Sequence, residues 1–484
     1  MNDPILRYLS ALASLTTGPL YLVGGTLRDL LSGISDPRDI DLMMPSGSED
    51  AARRFAADID GSFFFLDEER RITRVVKEEA GCPFQFDFAN FEGPDLAADL
   101  GRRDFTINAM ALDLREYLRT GSIDGIIDLF GGREDVRRKL IRVDDPKVLE
   151  DDPLRLLRAA RFAATLGFSV DPLTADRIRK RAALVTKPSP ERLRDELFLI
   201  FAERNAEQHL LLLDALGLLG PLFPELEALR GFAPGRYHVH DVLTHSLKTA
   251  GYLDSVLDDL PRAAPQHAAA VLAHLEEPLE HGVPRKAALR FACLLHDAAK
   301  PATFTDEDGR IRFHGHDTQG GDTAAAVCRR LRLSRSSETL IAKVIRHHMR
   351  LFNLTTQNGP SRNALYRYCR DMADGLPESL LLAQADARAT AEIMPKDSFA
   401  DTGRSMLLVL DYYYAKFLKV EAAPFLSGDD LIGLGLAPGP RFREVLDDIR
   451  ERQADGSLRS REDAFAYLRL QYSSRGPDEQ RGGA

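Results

Sequence analysis

Over residues 1–130 the apolar positions come as short runs, among them LYLVGG, DIDLMM, SFFFL, FQFDFANF and INAMALDL, set between stretches with apolar residues at helical spacing. Short apolar runs alternating with amphipathic helical stretches predict an α/β region. Beyond about residue 131 the strand pattern stops. Segments such as LRLLRAARFAATLGF and ALRFACLLHDAAK place apolar residues three and four apart, so the remainder is expected to be helical. Pro and Gly clusters at 230–238 and 358–361, and the stretch MPKDSFADTG, read as junctions, and the last dozen residues are expected to be disordered.

The run DIDLMM puts Asp39 and Asp41 on one side of a strand and Ile40 and Leu42 on the other. Two carboxylates held together repel unless a cation lies between them, and hard divalent metals take such ligands. A solvated strand end would explain the acids equally well if they stood alone. Upstream, LYLVGGTLRDLL enters a Gly24–Gly25 turn as a strand and leaves as a helix bearing Arg28, an arrangement that can hold phosphates. The turn, Arg28 and the paired acids together predict a triphosphate cradle beside a metal-binding pair. In RRDFTINAMALD, Arg102 and Arg103 are donors for phosphate or ribose oxygens and Asp104 is an acceptor for a ribose hydroxyl. The same segment also reads as a helix capped by Asp104, with Ile107, Met110 and Ala111 buried. Asp87, facing away from Phe84, Phe86 and Phe88, reads either as a third carboxylate of the site or as a polar residue on the open face of its strand.

A chain of 484 residues exceeds what one core serves, which implies two to four domains. No run approaches the roughly 18 apolar residues of a membrane span, and MNDPILRYLS lacks the features of a signal peptide, so a cytoplasmic protein without membrane contact is expected. The four cysteines show no metal-ligand spacing. A net charge of −10 argues against nucleic-acid binding by the whole surface, yet between Pro153 and Arg194 ten Lys or Arg stand against three acids. That stretch is a candidate RNA-facing surface.

The motifs LVGGTLRDLL…DPRDIDL, RRDFTINAMALD, DLFGGREDV and DDPLRLLRAARFAATLGF, in this order over residues 20–200, resemble the class II tRNA nucleotidyltransferase and bacterial poly(A) polymerase family. The resemblance implies a polymerase-beta-like α/β head over 1–135, an all-α neck over 136–230, an HD domain over 231–395 and a helical body and tail over 396–484. It implies Asp39 and Asp41 as catalytic ligands of Mg2+, with Gly24, Gly25, Arg28, Arg102, Arg103, Asp104 and Asn108 binding the nucleotide. Asp151, Asp152, Arg155, Arg158 and Arg161 fall in or beside the family's Glu-Asp-x-x-Arg motif, in which side chains replace a template. Helical spacing is expected to put Asp152 and Arg155 on one face, where an acceptor and a donor match the amino group and ring nitrogen of cytosine or adenine. A wrong base leaves the acid unpaired, at a cost of about 1 to 3 kcal/mol. Two departures stand out: Asp151 replaces the usual Glu, and EGPDLAADL is a short link where complete CCA-adding members carry a longer loop. The second departure points to a CC-adding specialist.

His245, His296–Asp297, His316, His347 or His348, and Asp386 follow one another in helical segments. Burying His296 beside Asp297 without a metal would strand two polar groups. The order resembles the HD phosphohydrolase superfamily, which implies His245, His296, Asp297 and Asp386 as ligands of a divalent metal (Mg2+, Mn2+, Ni2+ or similar) and His316 and His347 as second-metal or phosphate contacts. Phosphatase or 2′,3′-cyclic phosphodiesterase activity is implied with it. The segment 426–457 resembles the family's tail, a module that grips the RNA backbone or a plain helical cap. The expected function is addition of C, A or both to a tRNA 3′ end from CTP and ATP. A poly(A) polymerase and an HD phosphohydrolase with an inactive RNA-binding head are the rival readings.

Overall fold

The structure, a computed structural model, describes residues 3–34, 37–79, 81–233, 240–307, 310–354, 360–391, 397–434, 436 and 438–472. The expected disordered end lies outside these residues, as do most of the expected junctions at 230–238 and 358–361 and the start of MPKDSFADTG. The chain forms two compact units, one of residues 1–200 and 212–222 and the other of 201–211 and 223–484, where the sequence reading draws four segments.

In the first unit, strands β1 (Tyr21–Val23), β2 (Asp39–Met44), β3 (Ser62–Asp67), β4 (Ile72–Glu79), β5 (Cys82–Asn90), β6 (Met110–Asp113) and β7 (Ile127–Asp128) make one sheet in the order β3-β4-β5-β2-β1-β6-β7. Within this sheet only β2 and β5 pair in parallel, and their register sets Asp41 opposite Asp87. Helix α1 (Gly24–Leu31) follows β1 directly, and α2 (Ser48–Ile59) covers one sheet face, with Phe55 edge-on to Phe86 at 5.0 Å. Ile40, Leu42, Phe84, Phe86 and Phe88 are buried on that side. Pleating therefore sends Asp39, Asp41 and Asp87 to the opposite face. The segment after Asp104 is a short 3-10 turn (Thr106–Asn108) followed by β6, so the capped-helix reading does not hold there.

Helices α3 (Leu154–Leu166) and α4 (Pro190–Ala202) follow. Strand structure does not end at residue 131. Leu140–Ile141 pairs in parallel with Ser169–Val170, Pro278–Glu280 with Val283–Pro284, and Phe304–Glu307 with Arg310–Phe313. Pairs this short carry too few positions to show a period of two.

In the second unit α5 (Val242–Ala263), α6 (Arg285–Leu295), α7 (His316–Arg330), α8 (Arg335–Arg346) and α9 (Leu376–Thr390) pack together, and α9 is buried nearly all round. Beyond residue 425 a small core of Leu426, Leu431, Val445, Ile449, Leu458 and Leu468 closes the tail helices, the first of which opens with a Ser427–Asp430 capping box. Among the described residues no helix is long and apolar enough to cross a membrane.

Close packing fixes one glycine of DLFGGREDV. A methyl group on Gly132 would lie 2.2 Å from the Thr106 carbonyl oxygen, whereas one on Gly18 meets nothing within 4 Å. Gly132→Ala is expected to lower stability by at least about 2 kcal/mol, and Gly18→Ala to stay within about 0.5 kcal/mol, as read by urea unfolding.

Candidate active site and candidate metal centre

The carboxylate face of the sheet opens into a cavity of about 780 Å3 within the first unit. Gly24, Gly25, Arg28, Asp39, Asp41, Arg103, Asp104, Asn108, Asp152, Arg155, Arg158 and Arg161 all line it. Arg102 and Asp151 do not: Arg102 turns outward to Glu92 at 3.4 Å, and Asp151 is exposed at the end of the short helix Val148–Asp151. Their neighbours Arg103 and Asp152 take the inward places.

Gly24 adopts φ +61°, and a methyl group there would come 2.7 Å from Asp41 Oδ2. The turn can approach the acid only as glycine. Gly25 N–H donates to Asp41 Oδ2 at 2.9 Å, while the Asp41 N–H donates to Thr26 Oγ1 at 2.7 Å, which locks α1 to β2. Burial, together with the facing Asp87 charge, pushes Asp41 up to about 6, against the pull of Arg103, the Gly25 N–H and Arg28. Burial likewise raises Asp39. Asp87 is clamped by Arg74 through contacts of 2.6 and 2.8 Å and lines the same cavity, so it stands with the acids of the site. Paired acids that resist ionisation side by side are a donor set suited to a divalent cation.

Arg28 is held from two sides, donating to Asp29 Oδ1 at 2.8 Å and to Asn108 Oδ1 at 3.0 Å. Asn108 in turn donates to Asp104 Oδ1 at 3.0 Å, and Arg158 meets Asp104 Oδ2 at 2.6 Å. Glu196 of α4 then bridges Arg158 at 3.2 Å and Arg161 at 2.9 Å. Burial alone would raise Asp104; Arg158, the Asn108 amide and the Phe105 N–H outweigh it and hold the acid down at about 2. Phe162 lies beneath these cations, 3.6 Å from the Arg161 guanidinium.

Asp152 and Arg155 line the cavity together but do not share a helix face. Asp152 lies before α3 in extended backbone (φ −136°, ψ 95°), accepting from Leu154 N–H at 3.2 Å and from Arg192 at 2.8 Å, while Arg155 donates to the Val148 carbonyl at 3.1 Å. Arg74, Glu196 and Arg192 escape a motif reading because they come from β4 and α4. No local spacing relates them to the paired acids.

The second unit gathers His245 of α5, His296 and Asp297 at the end of α6, and Asp386 of α9. His245 Nε2 lies 3.1 Å from Asp386 Oδ1 and 3.6 Å from Asp297 Oδ2, and His296 Nε2 lies 3.2 Å from Asp297 Oδ2. His316 opens α7, and His348, not His347, joins the group: it is fully buried, and its Nε2 is 3.3 Å from that of His316. His347 caps α8 half-exposed, which turns the next residue inward. Burial and the neighbouring His296 hold His348 down at about 4. Lys300 sits 2.6 Å from Asp297 Oδ2, an ion pair whose only sequence signal is its place three residues after the acid. Asp297 Oδ1 is buried with no hydrogen-bond partner, which fits a metal ligand.

Residues 20–142 match the poly A polymerase head domain, 167–229 the probable RNA and SrmB-binding site of polymerase A, and 242–391 the HD domain. The chain is 35% identical over 458 residues to an A-adding tRNA nucleotidyltransferase of Deinococcus radiodurans, covering 92% of this chain and 94% of that one. It is 32% identical over 461 residues to a CC-adding tRNA nucleotidyltransferase of Thermus thermophilus, covering 93% and 92%. A CCA-adding enzyme solved with ATP shares the fold at a TM-score of 0.64, with 20% identity over 98% of this chain and 96% of that one.

Proposed function

The chain belongs to the tRNA nucleotidyltransferase family, and from that premise we propose that it adds C or A nucleotides to tRNA 3′ ends, using CTP or ATP, as a specialist for part of the CCA sequence. The observation that carries the chemistry is the cavity in which Asp39, Asp41 and Asp87 face Arg28, Arg103 and the Gly24–Gly25 turn. In the transfer, the RNA 3′ oxygen bonds to the α-phosphorus, the α–β bridging bond breaks, and pyrophosphate leaves with the electron pair. Both family segments generally depend on divalent metal. Asp39 and Asp41 would hold Mg2+, which when bound favours the ionised 3′ oxygen and neutralises the departing pyrophosphate.

The chain's own groups do the positioning. Arg28 and Arg103 face the triphosphate oxygens, Asn108 the ribose, and Asp152 and Arg155 the base edge. Asp104 is already saturated by Arg158, Asn108 and Phe105 N–H, so its role is to fix the Arg158–Glu196–Arg161 lattice beside the sugar. Domain roles follow: catalytic head, base-reading and RNA-contacting neck, HD unit, and RNA-contacting tail. In the HD unit, His245, His296, Asp297 and Asp386 would hold a transition metal that supplies hydroxide to terminal or cyclic phosphates.

Support for a specialist is the short link from Phe91, which ends in helix Leu96–Gly101, together with relatives named for A addition and for CC addition. Extension of three tRNAs, ending at the discriminator base, at C and at CC, with products resolved at single-nucleotide length, tests this. A specialist completes either CC or the terminal A. Full CCA on the first substrate refutes specialisation, and long A tails from ATP alone favour a poly(A) polymerase.

A further inference from the structure

We propose that the outer strand of the head sheet, β3, with the turn that follows it, seats the RNA 3′ terminus: Phe64 and Leu66 take its last bases and Arg70 takes a phosphate of its backbone. The inference rests on reading the cavity as a nucleotidyl-transfer site.

Strand register places the surface. Phe64 pairs with Arg74, Arg74 with Asp87 and Asp87 with Asp41, so these four side chains form one row on one face of the sheet. Leu66 and Arg70 line the same cavity as the acids. Phe63 and Phe65 go to the other face, where the Arg53 guanidinium of α2 lies 4.2 and 5.8 Å from their rings. The run SFFFL therefore covers both faces, and Phe64 and Leu66 stand 43% and 45% exposed on the side of the acids. Two large apolar groups left in water beside a catalytic cavity mark a binding surface.

The direction of the reaction says what binds there. In-line displacement puts the attacking 3′ oxygen and the departing pyrophosphate on opposite sides of the α-phosphorus. The phosphate-holding groups cluster at the end of β1: a methyl group on Gly24 would lie 3.2 Å from Arg103 Nη1, and one on Gly25 3.3 Å from Arg28 Nη2. The acids stand on β2 and β5, the next two strands, and beyond them among the described residues come β4 and β3. The RNA end therefore enters over β4 and β3. At about 4.8 Å per strand, β3 lies roughly 10 Å from the Asp87 strand, within reach of the terminal nucleotides.

Arg70 and Arg74 differ in what they can still bind. Arg74 is held by Asp87 at 2.6 and 2.8 Å. The Arg70 side chain is 61% exposed and meets Asp67 and Glu92 only at 3.9 and 4.0 Å, too long for hydrogen bonds. Its guanidinium is open to a phosphate. Contact of bases with Phe64 and Leu66 is blind to their identity, because every base has a π face. The edge thus holds any 3′ end alike, and base choice stays with Asp152 and Arg155.

Steady-state kinetics of the full-length chain separate the two substrates. Phe64→Ser/Leu66→Ser and Arg70→Gln are each expected to raise KM for tRNA about tenfold, for whichever 3′ end the parent extends, with KM for the nucleotide within about twofold. Arg70→Gln should also lower the salt slope of tRNA affinity by about one ion. An unchanged KM for tRNA overturns the RNA subsite and leaves the transfer reading standing. A rise confined to KM for the nucleotide overturns the subsite too, by placing the triphosphate at this edge. A parent inactive on every tRNA overturns the transfer reading itself. Should the double variant misfold, the parent with a tRNA ending in 4-thiouridine still decides: crosslinks at residues 64–70 are expected on irradiation, and crosslinks elsewhere alone overturn the subsite.

Discussion

Replacing Asp41 by asparagine is expected to lower nucleotide transfer by about 1,000-fold or more while making the metal-free chain more stable at neutral pH. Both effects come from one environment. Asp41 is pressed under the Gly24–Gly25 turn beside Asp87, and burial with that facing charge raises it from 3.8 to about 6. An acid that binds its proton more tightly folded than unfolded weakens the fold as pH climbs from its unfolded to its folded value, and the full cost stands above the latter. Above pH 6 the ionised Asp41 therefore costs about 1 to 3 kcal/mol, a cost that asparagine removes. Asparagine keeps an oxygen for the Gly25 N–H, so the turn survives. Thermal unfolding in chelator at pH 7.5 should show the variant melting higher, with the gap closing by pH 4. Saturating Mg2+ should narrow it at pH 7.5, because the ion stabilises only the chain that binds it. A variant that transfers nucleotides normally would remove Asp41 from the proposed catalytic role.

Asp104→Asn should do the opposite to stability and is expected to impair nucleotide use. The ionised Asp104 sits against Arg158 at 2.6 Å, is only 8% exposed and is held at about 2. Because its folded value lies below its unfolded 3.8, the stabilisation is present above the unfolded value and disappears as pH falls through the folded one. The ionised group contributes about 2 kcal/mol at pH 7, lost between roughly pH 4 and pH 2. Asparagine leaves Arg158 with Glu196 as its remaining carboxylate partner, so the variant should unfold at lower urea at pH 7 and match the parent near pH 2. Loosening Arg158 also frees Arg161, which shares Glu196, and KM for the nucleotide is expected to rise about tenfold. A variant with unchanged urea midpoint at pH 7 would show that the pair contributes nothing.

Local patterns carried much of this. The β2 alternation places Asp39 and Asp41 together because a strand has a period of two, and the glycine turn precedes a helix because only glycine tolerates φ +61° against a carboxylate. His296 and Asp297 announce themselves because a buried adjacent pair needs a partner. Local spacing also misled. Asp152 and Arg155 stand three residues apart but not on one helix, because the backbone breaks at Asp152 before α3 begins. His347 and His348 are equivalent by spacing, and only the way the chain leaves α8 turns His348 inward.

What the sequence determined by itself was the periodicity of each element and the residues too polar to bury without a purpose. The tertiary structure alone decided which distant groups complete the sites. Arg74 reaches Asp87 because β4 pairs with β5, Glu196 reaches Arg158 across two helices, and Asp297 turns one oxygen to each set of histidines. Periodicity is a property of neighbours along the chain, whereas ion pairs and ligand sets depend on distances that exist only once the cores have packed.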